Sequence, residues 1–133
     1  MPPESFAREC DRLSHVVDDI QYERLRWART EGPMLATLAD LAKAALADRS
    51  DFELVEEGAT RDVKRFVMKI HGNRVVALTL SLDSGRAIVA AELAERSKYA
   101  LIPGTPASAD FTDVDAAWMA AALKGVFSRI VPA

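Results

Sequence analysis

The sequence predicts an α+β fold. An N-terminal helical hairpin (about 5–29 and 33–48) precedes an antiparallel four- or five-stranded meander (about 51–102), and a C-terminal helix (about 113–130) packs on the sheet. Three observations carry this. Apolar residues recur at helical spacing through the first third, polar and apolar residues alternate through the middle, and a capped apolar run closes the chain.

In the first third, Phe6, Cys10, Leu13, Val17, Ile20, Trp27, Met34, Leu38, Leu41 and Ala45 follow alternating steps of four and three, with Arg24 and Glu31 in the two gaps. Ser5 is placed to cap the start, and Glu4 suits the positive helix end. The stripe keeps its phase across Gly32-Pro33. One helix from 5 to 49 would nevertheless be about 66 Å long at 1.5 Å per residue. Pro33 would also lose the hydrogen bond to the Arg29 carbonyl and clash there. Two helices broken at Gly-Pro are therefore expected, with a single kinked helix as the competing reading. The stretch "IQYERLRWARTEGPM" looks at first like a basic-aromatic patch. At 100° per residue, however, Trp27 falls with the stripe, while Tyr22, Arg26 and Arg29 fall opposite, near Asp11, His15 and Asp18. Arg24 lies inside the stripe, where a buried charge would need a carboxylate partner.

The middle begins with "DFELVEE", which Gly58 ends. "VKRFVMKI" and "RVVALTLSL" flank Gly72-Asn73, a two-residue hairpin signal. "DSGR" turns the chain into "AIVAAEL", and "KYALI" offers a fifth strand. With Gly72-Asn73 as the loop, Ile70 would face Val75 and Val67 would face Leu78. Val63, Val67, Leu78, Leu80 and Val89 then share one face with Arg65 and Lys69, and Phe66, Met68 and Ile70 take the other. Both faces would need cover, because each such side chain contributes roughly 1.5–3 kcal/mol when buried. Residues 103–111 read as a loop. Thr112 with Asp115 resembles a capping box for the last helix, and Gly125 suggests close approach of another backbone.

The chain of 133 residues suits a single domain spanning 1–133. Its formal net charge of −3 gives no global field toward nucleic acid or anionic membrane. One cysteine, Cys10, excludes an internal disulfide and fits a reducing, cytoplasmic compartment. The start "MPPESFAREC" lacks the pattern of a secretory signal, and no apolar run is long enough to span a membrane.

Catalytic motifs are not found. No phosphate-binding glycine loop, nucleophile elbow or zinc spacing occurs, so no catalytic residue, cofactor or metal is assigned. His15 with Asp11, Asp18 and Asp19 reads as a solvated charged face in preference to a weak metal site, and His71 as turn chemistry. Arg65 and Lys69 are a candidate anion contact, weighed against pairing with helix carboxylates. The 95–111 segment, with Tyr99, Thr105 and Ser108, is the best ligand-facing loop, although an ordinary crossing connection outweighs that reading. Two functional readings follow. The first is a non-catalytic interaction or regulatory module that forms a homodimer through the helix stripe or a sheet face, with a protein partner as a further option. The second is a small-molecule-binding domain or modest enzyme, with a pocket of Phe66, Met68, Tyr99, Trp118 and Met119 between the sheet and the last helix. Nucleic acid ranks third, and a membrane is not expected.

Overall fold

The computed structural model describes residues 3–133. The fold is α+β, with N-terminal helices, an antiparallel sheet and a C-terminal helix on it. Contacts gather into two compact units, one ending at Pro33 and one running from Met34 to Ala133.

The first unit is a helical hairpin, but its turn is not at Gly-Pro. Helix α1 spans Pro3–Val17 and α2 spans Asp19–Arg29. Asp18 between them is extended, and its carboxylate accepts the Gln21 N–H at 3.1 Å, capping α2. The chain then doubles back, because Asp11 shares a small cleft with Tyr22, Leu25, Arg26 and Arg29. In one straight helix Asp11 and Arg29 would stand about 27 Å apart. The capping power of Asp18 therefore decides the break, and the continuous apolar period hid it.

Helix α2 ends at Thr30, whose N–H donates to the Arg26 carbonyl and whose hydroxyl lies between that carbonyl and the Glu31 carboxylate. Helix α3, Glu31–Ala45, starts two residues before the expected Pro33. Pro33 still falls in the first turn, where a missing N–H is harmless. Gly32 does not end a helix here. The Trp27 ring lies 3.0 Å from where a Gly32 Cβ would be, so the glycine seats that ring.

In the second unit, β1 (Phe52–Glu56), β2 (Val63–Ile70), β3 (Asn73–Asp83), β4 (Arg86–Leu93) and β6 (Ala107–Asp110) form one antiparallel sheet in the order β1-β2-β3-β4-β6. Ser84 and Gly85, both at positive φ, make the β3–β4 turn where "DSGR" placed it. The β2–β3 register differs from the expected one. Its loop is His71-Gly72, again with two positive φ values, the requirement of a type I′ turn. Moving the loop by one residue alone would keep each side chain on its expected face. A bulge between Met68 and Lys69 is what changes it, with Val75 the extra residue on β3. Phe66 consequently faces Leu78, and Arg65 faces Thr79. Phe66 and Met68 join Leu78, Leu80 and Val89 on the core face, and Arg65 and Lys69 move to the other.

Leu35, Leu38, Ala39 and Ala42 of α3 are buried, as are Met119, Ala122, Leu123 and Val126 of α4 (Ala116–Phe127). The Lys43 ammonium sits 5.2 Å from the Phe66 ring centre, and the Phe52 and Phe127 rings lie 5.8 Å apart, so both helices cover this face. Val67, Ala77 and Ala94 form a small buried cluster on the opposite side.

The ends also differ from expectation. Asp115, not Thr112, caps α4, accepting the Trp118 N–H at 2.8 Å. A short 3-10 turn occupies Phe111–Asp113. Residues Ile130–Pro132 leave the helix as β7 and pair with β5 (Tyr99–Leu101) in a separate two-stranded sheet. The fifth strand of the main sheet is β6, inside the expected 103–111 loop. Its Ala-Ser-Ala-Asp sequence has no strand propensity to advertise it. Nothing lies within 4 Å of a Cβ built at Gly125, so no backbone approaches there.

Candidate functional site

The most unusual surface is on the α1–α2 hairpin. Phe6 is 63% exposed, Leu13 51%, Val17 81% and Ile20 66%, and Val16 and Leu25 are also exposed. No residue from Glu4 to Pro33 is buried. The expected stripe is thus real as a pattern but forms no core within its own unit. Trp27, which falls with the stripe, is half-buried against Gly32. Arg24 is exposed, so the buried charge that needed a partner does not arise.

The charged residues of this hairpin are largely committed to one another. Arg12 donates to Glu9 at 2.9 Å, and Arg26 donates to Glu23 and Glu31, both at 2.9 Å. These two carboxylates raise the Arg26 pKa. Glu31 is held below the usual carboxylate range, first by the Thr30 hydroxyl and also by Arg26. His15 Nε2 lies 2.6 Å from Asp19, with its ring edge against Tyr22. His15, Asp19 and Glu23 offer ligand atoms within 4.8 Å of one another, all exposed, while Glu23 is already bonded to Arg26. Neither Asp11 nor Asp18 joins that group.

The five residues expected to line a pocket are dispersed. Phe66, Met68 and Met119 are packed into the core. Trp118 is half-buried, and Tyr99 is exposed beside a different cleft. A cleft of about 300 Å³ does lie between the sheet and α4. Val89, Thr105, Ala107, Ala122, Gly125 and Arg129 are among the residues that line it. The Arg129 side chain packs on Gly104 and donates to the Ile102 carbonyl at 3.3 Å. Ser128 also lines the cleft, but its hydroxyl donates to the Gly125 carbonyl at 2.7 Å, so with Thr105 the lining gives no convergent catalytic set. Ser108, from the same segment, accepts from Arg86 at 3.2 Å.

Arg65 is neutralised. Its Nε donates to Glu92 at 2.6 Å and its Nη1 to the Glu57 carbonyl at 3.2 Å. The sequence paired it with helix carboxylates, but its partner is a strand residue brought alongside by the bulged register. Lys69 stands between Glu53 on β1 and Arg74 on β3. Arg74, Arg96, Lys98, Tyr99 and Asn73 enclose a polar cleft of about 140 Å³. The ligand-facing 95–111 segment supplies Arg96, Lys98 and Tyr99, whereas Asn73 and Arg74 lie too far along the chain to join it before folding.

No family model, curated protein or solved structure matches this chain. Among the described residues no helix is long and apolar enough to cross a membrane.

Proposed function

We propose that this protein is a non-catalytic interaction module that self-associates through its α1–α2 hairpin. One observation carries the reading: a two-helix unit with a sustained apolar stripe and no buried residue among residues 4–33. Two helices of 15 and 11 residues are marginal in water without tertiary packing. A second copy supplies that packing in the simplest way, since two helical hairpins make four helices around one core. The hairpin's charges are mostly satisfied internally, which favours an apolar, self-complementary contact over an acidic or basic partner.

The energy is adequate. Half-burying a side chain of this size contributes about 0.75–1.5 kcal/mol, so the four stripe residues Phe6, Leu13, Val17 and Ile20 from each copy give about 6–12 kcal/mol gross. Association costs about 4–15 kcal/mol, which leaves room for a micromolar dimer. A two-fold contact places the same patch on both copies, so each stripe residue acts twice. The exposed, unpaired Cys10 on α1 fits a cytoplasmic setting. Light scattering over a wide concentration range tests the reading: a mass rising from one chain to two supports it, and a single-chain mass throughout removes it.

A further inference from the structure

We infer that the cleft of Asn73, Arg74, Arg96, Lys98 and Tyr99 is a binding site for a phosphate monoester. It lies in the second unit and does not depend on self-association.

The cleft is assembled from two distant segments. Arg74 is fixed at the start of β3: its Nε donates to the Glu95 carbonyl at 2.8 Å and its Nη1 to Glu57 at 2.8 Å. These bonds draw the 95–99 segment against the β2–β3 turn. Ser97 then pins the segment, its hydroxyl donating to the Val75 carbonyl at 2.6 Å and accepting the Tyr99 N–H at 3.1 Å. Val75 is the bulge residue, so the irregularity that sets the sheet register also supplies this anchor. Arg96 is held at φ 64, a left-handed conformation that a non-glycine residue keeps only when its surroundings enforce it. The two residues flanking the pinned Ser97 are cations, and both line the cleft with Arg74.

Three cations therefore converge, with a tyrosine and an amide as further donors. Of the three, Arg74 bonds the Glu57 carboxylate. The Arg74 hydrogen bond lowers the Glu57 pKa most, with smaller contributions from the charges of Arg74, Lys69 and Arg96. Glu95 is the acidic residue adjacent to Arg96, with its carbonyl bonded to Arg74, and Glu53 pairs with Lys69 on the sheet. The Arg96 and Lys98 side chains are exposed and make no hydrogen bond or ion pair among the described residues. A dianion with three outward oxygens suits this set better than a carboxylate with two, and Arg side chains favour forked contacts to such oxygens. The Tyr99 ring provides an apolar wall for whatever carries the phosphate. Free nucleotides or sugars and phosphorylated side chains share this chemistry.

Amide chemical shifts of the full chain, titrated with inorganic phosphate, a nucleoside monophosphate and a phosphoserine peptide, test the site. Saturable shifts confined to residues 72–75 and 95–99 are expected. The Arg96→Ala, Lys98→Ala double variant should weaken binding at least about tenfold, since each lost charge-assisted contact is a sizeable fraction of a decade or more. Lys124→Ala on α4 should leave it unchanged. A tighter response to the nucleotide or to the peptide identifies the carrier. No saturable shift with any of the three, shifts centred elsewhere, or an equal effect of Lys124→Ala overturns the inference. Binding only to an oligonucleotide, steep in salt, overturns it as well.

Discussion

Replacing Leu13 and Val17 together by lysine separates a functional apolar surface from an incidental one. Both lie near the end of α1, and in the single chain they are 51% and 81% exposed. Lysine is a better helix former than valine and comparable to leucine, and a cation suits the last turn of a helix. Asp11, Asp18 and Asp19 are near in sequence to offset the charge. The folded single chain should therefore change by no more than about 0.5 kcal/mol. The dimer responds differently. Four positions across a two-fold contact each lose about 1–1.5 kcal/mol of burial, a total of about 4–6 kcal/mol before any desolvation of the ammonium groups. At 1.4 kcal/mol per decade the dissociation constant rises about three to four powers of ten. Sedimentation equilibrium reads this directly. Leu93→Lys, an exposed apolar position on β4, is the control and should leave the mass unchanged. A double variant that dimerises like the parent, or a control that dissociates instead, refutes the hairpin as the contact.

Three further outcomes follow from the fold. Met68 is fully buried on the core face, so Met68→Ala should cost about 2–5 kcal/mol in urea unfolding, while Lys69→Ala on the other face should stay within about 1 kcal/mol. Gly125 is helical with open space around its Cβ, so Gly125→Ala should stabilise by about 0.5–1 kcal/mol in the same assay. Glu57 has a folded pKa below its unfolded value because Arg74 bonds the carboxylate. Its contribution is therefore present above about pH 4.3 and lost as pH falls through the lowered folded value. The stability gap between the parent and Glu57→Gln should narrow over that acid window, and a constant gap contradicts the pairing.

Periodicity found α3, α4 and the first four strands because each buries a face whose spacing repeats, and it found α1 and α2 from a stripe that stays exposed. It missed β6, whose Ala107, Ser108 and Ala109 carry almost no apolar signal and are recruited by the edge of β4. It also missed the turn at Asp18, where one capping carboxylate outweighs an unbroken stripe. A bulge is one residue long and leaves the apolar count unchanged, so the shift at Val75 was invisible, yet it decided the side of the sheet that Phe66, Met68 and Arg65 occupy. Phe66 and Met68, expected on the face opposite Leu78 and Leu80, pack into the core with them. The phosphate cleft depends on long-range bonds from Arg74 to Glu95 and from Ser97 to Val75, which no local pattern encodes. The exposed stripe is the opposite case. Its pattern was legible, but the pattern alone does not say whether the cover comes from the same chain.

Hydrogen exchange as a function of protein concentration tests the central claim most directly. Amides of residues 4–29 should exchange quickly in dilute solution, since no side chain there is buried, and slowly at high concentration as the second hairpin covers the stripe. The strands from Val63 to Leu93 should stay protected throughout. Concentration-dependent protection that falls on the sheet, or none anywhere, would contradict self-association through the hairpin.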